Sequence, residues 1–253
     1  MTVTFLGTGT SQGVPVIACG CAICTSADRH DKRLRSSILI EADDKVVAID
    51  SGPDFRYQML RANVQHLDAV VYTHEHKDHI AGMDDIRAFN FKQQEPMNIY
   101  ADARVEAALM REFPYVFSEF KYPGIPQVDI HPIGLAPFDI GSIHFIPIEV
   151  LHYKLPVLGF RINDFTYITD AKTVSDTEKE KIKGSRILVI NALQKQTHIS
   201  HFTLDEAIAF ARELGAETTY FTHISHRLGK HADICAELPP GVALAYDGLQ
   251  LSI

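Results

Sequence analysis

Short apolar runs bounded by turn residues recur along the chain. In its first part they predict strands at 3–6, 37–42, 45–50 and 69–72. The run DAVVY at 68–72 is apolar on both faces, as suits a strand covered from both sides, and Asp43-Asp44 between the second and third strands suits a hairpin turn. A second set follows in the same rhythm: SIHFIPIEV, VLGFRI, FTYIT, RILVI and TTYFT. Helical spacing predicts helices over 54–62, 102–113 and 203–215, the last opened by a capping box of Thr203 with Glu206. A further helix-like stretch opens at His79 and runs through Ile86 and Phe89. Strands covered by helices in two matching halves predict a sandwich. Without a short repeat or low-complexity linker, residues 1–253 read as one domain built of halves near 1–125 and 126–253, with YPGIPQ at 122–127 as the joint.

The ends of these strands carry unusual chemistry. Residues 73–79 read THEHKDH, three histidines and two acids in seven positions. A neutral imidazole nitrogen and an anionic carboxylate oxygen both suit a transition metal. His74 and His76, spaced by two, point the same way on extended backbone, and Asp78 with His79 can turn in from the loop that follows. A solvated polar loop is the plain alternative, but H-x-H-x-D-H is a rare pattern. His152, Asp170 and His223 close three later strand-like runs. Three of the four cysteines, Cys19, Cys21 and Cys24, fall together and raise a second metal question, against the alternative of buried thiols; Cys235 stands alone as an apolar residue.

Composition narrows the class. At 253 residues, 46% hydrophobic and 22% charged, the chain can bury a substantial core and has no apolar run long enough to cross a bilayer. Its start, MTVTFLGTGTSQGVP, lacks a basic leader region, so a cytoplasmic location and no membrane partner are expected. A formal net charge of -8 and no Lys/Arg run argue against an extensive nucleic-acid surface. GTGTSQG misses the dinucleotide spacing G-x-G-x-x-G because Gln12 stands where a glycine is needed, so it reads as a tight loop whose amides could meet a phosphate.

THEHKDH, preceded by AIDSG with Asp50 and followed by His152, ITDAK with Asp170 and FTHISH with His223, resembles the metallo-β-lactamase superfamily over nearly the whole chain. The resemblance implies an αββα four-layer sandwich of two mixed sheets flanked by helices, with a two-metal hydrolytic site at one edge. It implies one metal on His74, His76 and His152, another on Asp78, His79 and His223, and Asp170 bridging them, with Asp50 orienting the histidine loop through hydrogen bonds. ACGCAIC and the His226 of THISH add a Cys₃His set, a closed arrangement for one structural zinc. Together with TFLGTGTSQGVP these motifs resemble the PhnP-type phosphoribosyl cyclic phosphodiesterases, which implies manganese or zinc as the two divalent catalytic ions. SHFTLDEA then matches His201 to a histidine that approaches the phosphate, where it would donate a proton or hold an oxygen.

The expected reaction is attack of a two-metal-bridged hydroxide on a small cyclic or nucleotide-like phosphodiester, with Asp78 and Asp170 tuning the nucleophile. The expected partners are that substrate and, at most, a second copy of the chain in a homodimer. Two alternatives share the fold: a tRNA 3′-end endonuclease, which would need a basic arm that this sequence lacks, and a non-hydrolytic accessory protein of pyrroloquinoline quinone synthesis, which loss of ligands would favour. His30, His66, His131, His144, His198 and His231 receive no role, and Arg56, Arg87, Arg161 and Arg227 could each meet a phosphate or pair on the surface.

Overall fold

The computed structural model describes residues 1–120 and 122–253. The first sheet is built from β1 (Thr2–Gly7), β2 (Ser37–Ala42), β3 (Lys45–Ile49), β4 (Ala69–Val71), β5 (Met97–Ala101) and β6 (Val128–Pro132). The second contains β7 (Phe138–Ile140), β8 (Ile143–His152), β9 (Leu155–Ile162), β10 (Phe165–Tyr167), β11 (Thr173–Val174), β12 (Ile187–Asn191), β13 (Thr218–Thr222) and β14 (Val242–Leu244). The last strand, β15 (Gln250–Ser252), returns to the first sheet beside β1. Strand orders are β15-β1-β2-β3-β4-β5-β6 and β11-β8-β9-β10-β12-β13-β14, with β7 paired to β8.

Each sheet starts antiparallel and continues parallel. β1, β2 and β3 pair antiparallel, the last two as a hairpin, before β3 to β6 run parallel. β8, β9 and β10 do the same before β10, β12, β13 and β14. The switch follows from what the chain must cross. A two-residue turn at Asp43-Asp44 joins neighbours head to tail, whereas helices α1 (Phe55–Arg61), α2 (Lys77–Ile80) and α3 (Arg87–Gln93) carry the chain back so that the next strand runs the same way. α4 (Ala103–Glu112) and α5 (Pro114–Phe117) do the same between β5 and β6, and in the second half α6 (Asp176–Ile182), α7 (Leu204–Leu214) and α8 (His231–Glu237) lead to β12, β13 and β14.

Alternation along each strand divides the core into layers. Val3, Phe5, Ile38, Ile40, Val47 and Ile49 meet Phe145, Phe160, Phe165 and Val189 between the sheets. Their neighbours Leu6, Leu39, Ala48 and Val70 face the helices of the first half, and Ile168, Leu188 and Ile190 face those of the second. The result is the four-layer αββα sandwich expected from the strand pattern.

Two expectations shift. The joint expected at 122–127 precedes β6, which still belongs to the first sheet, so the crossing between sheets falls between β6 and β7. The helix expected from His79 through Phe89 is broken into α2, a 3₁₀ turn at Met83–Ile86 and α3; the break falls at Gly82, a weak helix former required there because a Cβ would lie 2.1 Å from the Gly52 carbonyl. The other helices hold, and Thr203 with Glu206 forms the reciprocal cap on α7.

Candidate metal centre

The parallel strands of both sheets end at one edge of the sandwich, and the ligand-type residues stand there. Asp50 follows β3, the THEHKDH loop follows β4, His152 ends β8, Asp170 lies just past β10 and His223 just past β13. Asp50, Asp170 and His223 all adopt left-handed backbone, with φ of 65°, 48° and 53°. Such φ values are uncommon for residues other than glycine and cluster at functional sites. Here they turn each side chain off the strand end.

Asp170 is the centre of the cluster. Its carboxylate lies 3.0 Å from His223 Nε2, 2.9 Å from His79 Nε2, 3.9 Å from His74 Nε2 and 3.5 Å from His201 Nδ1. Asp78 stands 3.2 Å from His79 Nε2. The chain thus gathers His74, His79 and Asp170, then Asp78, His79 and His223, then His152, Asp170 and His201, with the ligand atoms of each group within 4.8 Å of one another. His76 belongs to none of these groups; its ring packs 4.6 Å from His74 and 5.2 Å from His152, at the rim.

What these histidines do with their other nitrogen decides whether a metal fits. His79 Nδ1 donates to Asp50 Oδ2 at 2.7 Å, and His152 Nδ1 to the Ser200 carbonyl at 2.9 Å. The Thr73 hydroxyl donates to Asp50 and is left to accept from His74 Nδ1 at 3.0 Å. The Ser36 hydroxyl donates to the Gly9 carbonyl and can accept from His223 Nδ1 at 3.3 Å, with Thr169 in a similar position at 3.4 Å. Four rings therefore have a partner for Nδ1–H and turn Nε2 inward. With the protons on Nδ1, the buried Nε2 lone pairs of His74 and His79 find no donor among the described residues, and neither does Nδ1 of His201 find a hydrogen-bond partner there. Fixed Nδ1–H with a converging bare Nε2 is how protein histidines are prepared for metal, so the donor set fits divalent ions.

Electrostatics agrees. Burial alone would strip His79 of charge, yet Asp78, Asp50 and Asp170 around one ring push its pKa well above the ordinary histidine value. The site demands positive charge there, as a proton on His79 or as a bound cation. Burial also raises Asp50 and lowers His74, while His201 is pushed down to about 2 by burial, with His223, His152 and His198 adding to it against Asp170. His201 packs between His152 and His223, with ring centroids at 4.4 and 4.9 Å.

The Cys₃His group forms a second, separate cluster. Cys19, Cys21 and Cys24 Sγ lie 3.4, 3.4 and 3.5 Å from His226 Nδ1. Sulfur and nitrogen on one tetrahedral zinc, at bond lengths of about 2.3 and 2.0 Å, are separated by roughly 3.5 Å. The Cys24 amide and His226 lower the Cys21 thiol to about 6, so a thiolate ligand is favoured. This set too fits its metal.

Ser36, Thr73, Thr169 and the Ser200 carbonyl were not singled out from the sequence. The only signal for Ser36 is its place in a buried strand start; alcohols are too common to mark by themselves. The remaining expected residue, Asp50, is fully buried and accepts from Thr73 as well as His79.

A family model described as a beta-lactamase superfamily domain matches residues 45–224. The crystal structure of a new diphosphatase from the PhnP family superposes with a TM-score of 0.93 at 40% identity, covering 100% of this chain and 97% of that one. Zinc-bound PqqB from Methylobacterium extorquens shares the fold, with a TM-score of 0.76 at 20% identity over 100% of both chains. An octanoyltransferase of Porphyromonas gingivalis is 38% identical over 98% of this chain and 51% of its own, so this chain spans about half the length of that relative.

Proposed function

Because this chain belongs to the metallo-β-lactamase superfamily and resembles its PhnP family, we propose that this hydrolase cleaves a small phosphodiester, cyclic or nucleotide-like. The observation that carries the reading is the convergence of histidine nitrogens on Asp170, each ring oriented by a separate acceptor. Divalent ions held by His74, His79, His152, His223, Asp78 and Asp170, with His76 at the rim, would supply Lewis acidity and lower the pKa of water into the neutral range.

The chain's own residues set up the rest. Asp50 holds His79 and Thr73, and through Thr73 it reaches His74, so one buried carboxylate aligns two rings. Asp78 and Asp170 bring negative charge to the cluster and temper its acidity. His201, between His152 and His223, stands where a substrate oxygen would arrive, as hydrogen-bond donor or as proton donor to the leaving oxygen. Burial of these groups excludes bulk water and strengthens each interaction.

The diphosphatase resemblance supports a second substrate form, a diphosphate ester cleaved at phosphorus by the same residues. An octanoyl transfer reading has less support: that name belongs to a chain about twice as long, and the clustered thiols here are tied to His226 rather than free as nucleophiles. The tRNA reading rests on fold alone, and the net charge of -8 disfavours a large RNA partner. The accessory-protein reading also has sequence relatives, but loss of ligands would favour it and this chain keeps all seven expected ones.

The test is hydrolysis of bis-p-nitrophenyl phosphate, 2′,3′-cyclic nucleotides and a diphosphate ester by metal-stripped protein, with manganese, zinc or nickel added back and bound metal counted. Metal-dependent turnover of a diester is the expected result. No turnover of any of them with about three ions bound per chain, two catalytic and one structural, would overturn the reading.

A further inference from the structure

A cavity of about 410 Å³ lies between α1 and α3 on the outer face of the first half, and none of its lining residues belongs to either metal-type cluster. Phe55, Met59 and Phe89 form its floor at 0%, 6% and 7% exposure, so the floor is part of the folded core. Leu60, Val64 and Ala88 continue the apolar surface up the walls, and Leu60 is 61% exposed. α1 has seven residues and rises roughly 10 Å, so the trough is about as long as an extended chain of eight carbons.

Its two ends differ in charge. β3, β4 and β5 run parallel toward the metal edge, so α1 and α3, which carry the chain back, both run away from it. Arg56 and Asp85 line the end where the helices begin, one base against one acid. Lys92 lines the end where they finish, together with Asn63 and Gln65. Lys92 Nζ donates to the neutral Gln65 Oε1 at 2.9 Å, and the Gln65 amide donates to Asn63 Oδ1 at 2.9 Å. Among the described residues no carboxylate pairs with Lys92, although the chain carries 32 acidic residues against 24 basic. One end of an apolar trough thus holds an ammonium anchored by an amide, with protons left to give to an anion.

We propose that this trough binds a medium-chain fatty carboxylate, its acyl chain lying on Phe55, Met59 and Phe89 and its carboxylate meeting Lys92. Contact of methylene groups with the floor supplies the affinity, and the ion pair at one end sets the direction of binding. A nucleotide or another polyanion suits the trough poorly, because the side chains of the floor offer it no hydrogen-bond donor. The site stands independently of the phosphodiesterase reading.

The experiment is calorimetric titration of metal-loaded protein with sodium octanoate, with acetate and 1-octanol as comparators. Octanoate is expected to saturate one site per chain and to bind roughly tenfold more tightly than 1-octanol, the effect of about one good ionic hydrogen bond; acetate is expected to give no saturable heat. Lys92→Gln should weaken octanoate roughly tenfold and leave 1-octanol unchanged. Ala88→Trp places an indole over the trough from an exposed position on α3 and should abolish binding of both. The chain has no tryptophan of its own, so the emission of the new one reports whether it is seated there, and circular-dichroism melts close to wild type establish that both variants fold. No saturable octanoate heat, equal octanoate affinity in wild type and Lys92→Gln, or octanoate binding that survives Ala88→Trp would each overturn the inference. Self-association in sedimentation that disappears in Ala88→Trp would give the trough to a second copy of the chain and overturn it as well. Diester hydrolysis enters none of these readouts, so the functional reading can fail or hold separately.

Discussion

The two metal-type clusters are assembled in opposite ways. Ligands of the His/Asp cluster come from four separate strand ends, most are buried, and the oriented rings lean on Asp50, Thr73, Ser36 or the Ser200 carbonyl. In the Cys₃His cluster three ligands come from one short loop without helix or strand, two of them half-buried, and the thiols meet His226 and the backbone amides of Val16 and Cys24. In the first site the ring orientations are set by hydrogen bonds within the fold. In the second, an ion would act as a cross-link between the N-terminal loop and the turn after β13, adding to the fold itself.

That contrast breaks down if substitutions in the two clusters behave alike. The largest expected effect is on activity: Asp78→Ala or His76→Ala should lower kcat/KM for a diester by roughly 10³-fold or more, as loss of a metal-site residue does, with a circular-dichroism melt close to wild type. Cys21→Ala should do the reverse, removing one zinc per chain by metal analysis and lowering Tm by roughly 5 °C or more, at about 2–4 °C per kcal/mol for a domain of this size. Equal melting losses in both, with His76→Ala fully active, would erase the distinction.

A finer test addresses preorganisation. Ser36→Ala removes an acceptor for His223 Nδ1–H and a donor to Gly9. It should weaken one of the two catalytic ions by roughly 10–100-fold in a two-step metal titration, with Ser36→Thr restoring most of it. Unchanged affinity for both ions would mean that Thr169 alone suffices.

The smallest effect concerns the other side of the cysteine loop. His231 Nδ1 accepts from the Arg33 guanidinium at 3.1 Å, and burial, then Arg33 and His30, push its pKa down to about 4. The unfolded chain takes up this proton below its ordinary value of about 6.5, the folded chain only near 4. The fold therefore keeps this contribution above that ordinary value and loses it as pH falls through the window to about 4. His231→Gln should flatten the acid side of a Tm-versus-pH curve; an identical slope in the variant would assign the acid sensitivity elsewhere.

Much of this site could be read from residue types. Histidine and aspartate at strand ends have few structural uses in such density, so THEHKDH, His152, Asp170 and His223 announced themselves, as did the cysteines and the Thr203–Glu206 cap. The supporting groups were silent for physical reasons. A serine hydroxyl at 36 looks like any other, and a carbonyl at 200 carries no side-chain signature. Pairing was also hidden: alternation predicts a strand but not its neighbour, so the return of β15 to the first sheet and the place of β6 could only be seen in three dimensions. The left-handed turns at Asp50, Asp170 and His223 had no glycine to mark them.

The pairing of β15 with β1 brings Met1 and Ile253 together: the Met1 ammonium donates to the Ile253 carbonyl at 3.1 Å, and the Ile253 amide donates to the Met1 carbonyl at 2.9 Å. β1 runs in the same direction as β3, and β15 against it, so both ends emerge at the edge opposite the metal centre. A polypeptide attached at either end would leave from the back of the molecule and keep the mouth of the site open. The same adjacency makes the chain a candidate for circular permutation, since a short peptide can close these ends and a new opening can be cut in an exposed loop.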